Sequence, residues 1–352
     1  MAWSRGCYDT RRAPLAHQRF ADSAISIGDL IDPCHGERMN ETWDCIVVGA
    51  GAAGLSGALV LGRARRRTLV VDAGRPSNRV ADGIGGLLGQ DTRAPADYYA
   101  AGRAELAAYP SVDLRAGEVV GGERDGERFV LELADGSRAA GRRVLLATGM
   151  DYRPPALTGI EERWGRSVFH CPFCHGWEHR GEPLGVLNRG GALLLRAWSG
   201  DVTLYADGHS DLTAEDRARL AFAGVEIEER RVVELRGTGS DLAAVAFADG
   251  NERACRGLLV PVTLHQRSAL ATQLGAATSE PGPLVADAVA VDDDFETSVP
   301  GLFAAGDAAG VMPSVANAVA SGGNAAARVV LSLMTAGDGV VAGATSTAEL
   351  AS

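Results

Sequence analysis

The sequence predicts an α/β fold of two three-layer ββα domains, the second inserted into the first. Three observations carry that prediction. A glycine-rich turn, Gly49-Ala50-Gly51-Ala52-Ala53-Gly54, leads from one short apolar strand into a helical stretch, and an acid ends the strand that follows. A strand-and-turn pattern in the first half recurs 114 residues further on. Near Ala286 the chain returns to the first pattern with one more strand, an acid and a helix.

The ordered protein is expected to begin at Asp44. Cys45-Ile46-Val47-Val48 reads as a strand, the glycine turn follows, and an Ala/Leu-rich helix runs to about Leu61. Thr68-Leu69-Val70-Val71 is a second strand ending at Asp72, 18 residues past Gly54. This is a Rossmann-like dinucleotide fingerprint in its strand–helix–strand context. Gly49 makes the tight turn, Gly51 lets backbone approach a pyrophosphate, and Gly54 permits close helix–strand packing. The helix start offers free N–H groups to an anion, and Asp72 can accept a ribose hydroxyl. The arginines at 63, 65, 66 and 67 read as cations near a helix end. A helix is expected from Pro95, and Phe129–Leu133 alternates as a strand before the Ala134-Asp135-Gly136-Ser137 turn. Val144-Leu145-Leu146 is a buried strand closing at Ala147-Thr148-Gly149.

The repeat begins from that turn. Phe247-Ala248-Asp249-Gly250-Asn251 matches Leu133–Ser137, and Leu258-Leu259-Val260 matches the buried strand at the same offset. Leu184–Leu187 and Val202–Tyr205 then stand as first and second strands, with Asp207 in the place of Asp72. The copies are unequally equipped. In place of three spaced glycines the second has Asn188-Arg189-Gly190-Gly191-Ala192-Leu193, and its closure is Pro261-Val262-Thr263. No arginine cluster follows Tyr205 to hold a 2′-phosphate. Asp207 suits a 2′-hydroxyl, but a pyrophosphate would have little to sit on. Back in the first domain, Gly301–Gly306 leads to Asp307, and a helix begins near Ser314.

These readings divide the chain into a disordered N-terminal extension (1–41), a first part of the nucleotide domain (42–154), the insertion (155–285), the second part (286–335) and a flexible tail (336–352). Residues 1–38 lack the apolar middle of a signal peptide, and Met39 is a candidate natural start. The net charge of −11 argues against nucleic acid or an anionic membrane as partner, and no apolar run is long enough to span a bilayer. Six cysteines are too few and scattered for a secreted disulfide framework, so the protein is expected to be cytoplasmic. Cys7, Cys34, Cys45 and Cys255 read as buried or free thiols.

The insertion carries Cys171-Pro172-Phe173-Cys174-His175-Gly176. Two cysteines at this spacing in an intracellular chain read as a redox couple. The same string attaches c-type haem, which the nucleotide architecture disfavours, and a zinc site lacks its second ligand pair, so no metal is expected. His175 is the candidate base beside the pair, while packed roles are favoured for His170, His179 and His265. Phe169, Phe173 and Trp177 are expected to pack in the core rather than wall a pocket.

Together the fingerprint, the Ala147-Thr148-Gly149 closure, the Cys-x-x-Cys and Gly306-Asp307 resemble the low-molecular-weight thioredoxin reductases from about Asp44 to Arg328. The resemblance implies FAD and a homodimer. It implies that Gly49, Gly51, Ala53, Gly54 and Asp72 bind the ADP half. Val119, Ala147, Thr148 and Gly149 would lie near the cofactor, Gly306 and Asp307 at the ribityl chain, and Val315 and Ala316 at the flavin's pyrimidine edge. Two departures stand out: the incomplete second fingerprint, and His175 where such reductases carry an acid. Both are similar to the flavin-dependent dithiol oxidases of disulfide natural-product pathways, of the gliotoxin, holomycin and romidepsin type. That likeness implies a small-molecule dithiol substrate, Cys171 as outer sulfur, Cys174 beside the flavin, and dioxygen as acceptor giving hydrogen peroxide. A nicotinamide-driven disulfide reductase and a non-catalytic flavin protein are the alternatives.

Overall fold

A computed structural model describes residues 42–188, 190–208 and 212–335. The expectations for the N-terminal extension, the tail, Met39, Cys7, Cys34 and Arg189 fall outside these residues. The first nucleotide unit opens with β1 (Trp43–Val48), α1 (Ala52–Arg63), β2 (Thr68–Asp72), α2 (Pro95–Leu106) and β3 (Val112–Ala116). A meander of β4 (Val119–Asp125), β5 (Arg128–Leu133) and β6 (Arg138–Leu146) follows. The parallel part of the sheet runs β3-β2-β1-β6, and β17 (Leu302–Ala304) adds to the far side of β6 after the insertion. β6 is long enough to serve both layers: its first half pairs antiparallel with β5, its second half parallel with β1.

Period-two alternation in β1 accounts for the layers. Cys45 and Val47 face α1, α2 and α7 (Val315–Leu333), packing with Leu55, Leu61, Tyr99 and Val329. Ile46 and Val48 face the meander side with Phe129, Leu131 and Leu133, joined by Leu270 and Leu274 of α6 (Leu270–Gln273) and the residue after it. All of these side chains are nine-tenths or more buried, in two continuous clusters.

Two antiparallel strands, β7 (Met150–Arg153) and β16 (Thr263–Gln266), are the crossings into and out of the insertion, paired with Met150 opposite Gln266. Between them lie β8 (Val168–Phe169), α3 (Pro172–His175), β9 (Leu184–Leu187), α4 (Ala192–Leu195), β10 (Val202–Tyr205), α5 (Ala214–Phe222), β11 (Val225–Glu228), β12 (Val232–Thr238), β13 (Asp241–Phe247), β14 (Glu252–Ala254) and β15 (Gly257–Leu259). The parallel order β11-β10-β9-β15-β8 and the β12-β13-β14 meander repeat the order of the first unit, with the place of the long β6 shared between β14 and β15. The repeat read from the sequence is therefore a repeat of topology. Its erosion is structural too: where α1 has twelve residues, α4 has four. Among the described residues no helix is long and apolar enough to cross a membrane.

Candidate active site

A cavity of about 470 Å³ runs along the C-terminal ends of β1, β2 and β6 and ends against the insertion. Sheets of this kind take ligands at that edge. The glycine turn forms one wall. Gly49 has φ +101°, and a Cβ there would lie 2.4 Å from the Ala147 carbonyl oxygen, so only glycine fits. Gly51 is the N-cap of α1, and a Cβ there would meet nothing within 4 Å, leaving the helix start open to the cavity. The Asp72 carboxylate accepts from the Ala50 and Gly74 N–H groups, each at 3.2 Å, and pairs with Arg103 at 2.5 Å. An open helix N-terminus, glycine backbone and a fixed acid suit an extended dinucleotide with a pyrophosphate at its middle.

Towards the insertion the lining changes to Tyr152, Trp164, His170, Cys174 and His175. The Tyr152 hydroxyl donates to Asp307 Oδ2 at 2.8 Å. Burial raises the Asp307 carboxyl, and the hydrogen bond from Tyr152 and the charge of Arg267 partly offset it. Burial also raises Tyr152, with the charges of Asp307, Cys174 and Cys171 adding to the effect, so it is a donor throughout the physiological range. His170 lies against the Tyr152 ring at 4.8 Å and stacks on Trp164 at 5.8 Å, and burial pushes it down to about 4. It is neutral at pH 7.

The redox pair sits at the start of α3, with the two Sγ atoms 2.6 Å apart. Cys171 is the N-cap. The Cys174 thiol and the N–H groups of Cys174 and Phe173 bring its thiol down to about 7 against the opposing effect of burial, while the shared proton and burial push Cys174 up. Cys174 lines the cavity and Cys171 does not. The approach of the two domains is tight here: a Cβ on Gly85 would lie 2.5 Å from the Cys174 carbonyl oxygen, and Asp82 pairs with Arg166 at 3.0 Å.

His175 Nε2 lies 3.0 Å from the Gly165 carbonyl oxygen, which assigns the proton of the neutral ring to Nε2. Nδ1 is buried with no hydrogen-bond partner. Burial lowers the imidazole, and the carbonyls of Gly165 and Cys171 favour its charged form in part. The ring is thus a neutral acceptor at Nδ1 in the wall that holds Cys174, stacked on Phe169 at 5.5 Å.

Of the residues expected at the cofactor, Gly49, Gly51, Ala53, Asp72, Val119, Ala147, Thr148, Gly149, Gly306, Asp307 and Val315 line the cavity. Gly54 and Ala316 do not. A Cβ on Gly54 would lie 1.8 Å from the Gly49 carbonyl oxygen, so Gly54 supports the turn from behind. Ala316 is exposed on the outer face of α7, and Ser314, Val315 and Ala318 line the cavity instead. Phe169 is fully buried as expected, but Phe173 and Trp177 are 70% and 63% exposed, which corrects their assignment to the core. Alpha3 is a single turn whose inward positions are taken by Pro172, Cys174 and His175, leaving Phe173 to point out.

Sequence reasoning missed the loop from Arg75 to Gly85, Tyr152, Trp164 and Arg267. Arg267, just past β16, donates to Asp151 Oδ1 at 2.9 Å and to the carbonyls of Met150 at 2.9 Å and Arg75 at 2.5 Å, tying the crossing strands to that loop. No local pattern marks these residues. In the second unit, Asp207 Oδ1 accepts the Val232 N–H at 2.8 Å.

A family model described as pyridine nucleotide-disulphide oxidoreductase matches residues 43–194 and 203–322. The thioredoxin reductase tcpT of Claviceps purpurea is 33% identical over 79% of this chain and 90% of its own length. The thioredoxin reductase sirT of Leptosphaeria maculans is 30% identical over 82% and 93%. Among solved structures, an oxidoreductase from Agrobacterium tumefaciens has a TM-score of 0.79 at 36% identity, over 84% of this chain and 99% of its own. HlmI has a TM-score of 0.77 at 37% identity, over 84% and 93%.

Proposed function

We propose that this chain, which belongs to the pyridine nucleotide-disulphide oxidoreductase family and binds FAD, is a dithiol oxidase that closes an intramolecular disulfide in a small substrate. Dioxygen is the acceptor in this reading, and the working form is a homodimer, which sedimentation would check. The observation that carries the proposal is the state of the second nucleotide unit. Its dinucleotide helix is cut to one turn, and Asp207 Oδ1 accepts the Val232 N–H. A nicotinamide donor would therefore meet a four-residue helix in place of the twelve-residue one that the first unit provides. The redox pair, by contrast, is whole.

In the oxidised pair, a substrate thiolate attacks Cys171 Sγ. The bond to Cys174 breaks, a mixed disulfide forms and Cys174 leaves as a thiolate that takes up a proton. His175, in the wall that holds Cys174, is the base in this reading. The second substrate thiolate then attacks the substrate sulfur of the mixed disulfide and expels Cys171. A thiol at about 7 leaves readily, because its thiolate is stable near neutral pH. The substrate has lost two electrons and two protons to the pair. FAD, when bound, would supply the two-electron acceptor for the reduced pair and the route to dioxygen, with hydrogen peroxide as the product. Gly49, Gly51 and Asp72 would hold its ADP half, Asp307 its ribityl end, and the cavity wall at Cys174 its reactive end.

The test is anaerobic reduction of the holoprotein with NADPH, NADH and dithiothreitol in separate cuvettes, followed by air. Bleaching of the oxidised-flavin band by dithiothreitol alone, with colour and peroxide returning in air, is the expected result. Rapid bleaching by either nicotinamide would overturn the proposal in favour of a reductase.

A further inference from the structure

Beside the redox pair the protein leaves two large rings in solvent. Phe173, between the two cysteines, is 70% exposed, and Trp177, two residues past His175, is 63% exposed. Neither ring is loose. Phe173 stands edge-on to Trp198 with centroids 5.5 Å apart, and the Arg180 guanidinium lies 4.1 Å over one face of Trp177. The Arg180 side chain is itself tied to the Trp177 carbonyl at 2.7 Å. The floor beneath is rigid: Phe169 is fully buried and stacks with both His175 and His179. Cys171 and Cys174 bracket Phe173 in the chain, and Cys171 is the sulfur that does not line the cavity.

We infer that Phe173 and Trp177 form the substrate-recognition surface, and that the substrate is a small uncharged dithiol carrying a planar apolar ring. The inference rests on the dithiol-oxidase reading and names its substrate class. Fixed rings with open faces attract flat apolar groups at little entropic cost. The area decides between a small molecule and a protein. At 150–250 Å² per aromatic side chain, the two exposed fractions leave about 300 Å² of ring surface. A stable protein partner covers about 800 Å² on each side, whereas 300 Å² matches one or two rings. Charge points the same way. The exposed Glu178 and Arg180 that flank Trp177 cancel, so the ledge has no net charge with which to select a charged thiol.

The experiment uses the FAD-loaded protein and reads the reductive half-reaction alone, by anaerobic stopped-flow bleaching. Two probes are compared: dithiothreitol, and ortho-xylylene dithiol, a benzene ring with two adjacent CH2SH arms. Both close rings of the same size, so they differ in the aromatic face. The readout is the ratio of their kcat/KM values. Wild type is expected to favour the aromatic dithiol by roughly 10-fold or more, and Trp177→Ala and Phe173→Ala are each expected to lower the ratio by about 3- to 10-fold. The loss should appear in KM, and Trp177→Phe should restore most of it. A ratio that does not move, including one where both probes slow equally, overturns the inference. So do variants that change the sedimentation of the protein, which would make the rings a subunit contact. A reduced thioredoxin-type protein that bleaches the flavin faster than the ring dithiol, and loses that advantage in the variants, also overturns it. Bleaching of wild type by NADPH but by neither dithiol would sink the oxidase reading itself, an outcome distinct from an unmoved ratio.

Discussion

Gly51 and Gly54 stand three residues apart in one turn, and replacing each by alanine separates holding the cofactor from holding the fold. At Gly51 a Cβ meets no protein atom within 4 Å, and its φ of −75° suits any residue. Alanine gives up about 0.5 kcal/mol as a helix N-cap and recovers a similar amount through a stiffer unfolded chain. The apo-protein's melting temperature should then move by less than about 2 °C. The methyl group projects into the cavity, where the dinucleotide must approach the backbone, so the Kd for FAD should rise about 100-fold or more, near 2.7 kcal/mol. At Gly54 the numbers reverse. A Cβ would lie 1.8 Å from the Gly49 carbonyl oxygen and 2.9 Å from its carbon, and both are backbone atoms that no rotamer change can move. Helix and turn must part by about 1 Å, at the upper end of overpacking costs, about 3 kcal/mol. The apo-protein should melt roughly 6–12 °C lower. Thermal melts of the apo-proteins and FAD titrations followed by flavin fluorescence measure both quantities. A Gly51→Ala protein that binds FAD as tightly as wild type would refute the cradle assignment. One that melts as low as Gly54→Ala would show that Gly51, too, is there for packing.

Because Cys174 lines the cavity and Cys171 does not, Cys171→Ser should keep a thiolate–flavin charge-transfer absorbance and Cys174→Ser should lose it; the opposite pattern would exchange their roles. Alkylation of the reduced protein at Cys171 should accelerate as pH rises and level off above an inflection near 7, since a lowered thiol pKa means the thiolate is lost only below it. An inflection at the ordinary thiol value would remove the account in which the Cys174 thiol and the N–H groups of Cys174 and Phe173 hold the Cys171 thiolate. Asp207→Ala removes the acceptor for the Val232 N–H, so it should cost about 1–2 kcal/mol in urea unfolding. The same variant should leave reduction by NADH or NADPH as slow as in wild type, and a further drop would show that the second unit still binds a nicotinamide.

Much of this architecture is written locally. The Asp135-Gly136 and Asp249-Gly250 turns each close a meander, and both glycines take a positive φ, so the same local rule wrote the repeat twice. Gly49 through Asp72 is legible because each step depends on near neighbours in sequence. The redox end of the cavity is a tertiary product. Tyr152 meets Asp307 across 155 residues, and Arg267 reaches Asp151 across 116. Tyr152, Asp151 and Arg267 have no pattern of their own, and the pairing of the two crossing strands sets Arg267 beside Asp151. Phe173 and Trp177 show the opposite failure. Hydrophobicity alone puts both in the core, yet a one-turn helix has one inward face, and the proline, the inner cysteine and the histidine already fill it. Ala316 fails for a related reason: one residue along a helix turns a side chain by about 100°, and the cavity takes Val315 and Ala318 instead.

The redox pair does not by itself fix the direction of electron flow. A Cys171 thiol near 7 makes a good leaving group when a substrate disulfide closes, and it is also a competent nucleophile for opening one. Direction depends on where electrons enter. In the first unit the start of a twelve-residue helix, Gly49, Gly51 and Asp72 border an open cavity. In the second, strand order is kept while the helix shrinks to four residues and the matching acid turns to Val232. What survives of the second unit is the part that positions α3: the sheet that carries β8, the close contact at Gly85 and the Asp82–Arg166 pair. A domain that presents a dithiol pair to the cavity on a shortened dinucleotide helix fits the proposed enzyme, whose electrons would arrive through Cys171. The exposed Phe173 lies between the two cysteines in the chain, so the proposed substrate choice would be made beside the pair that receives the electrons.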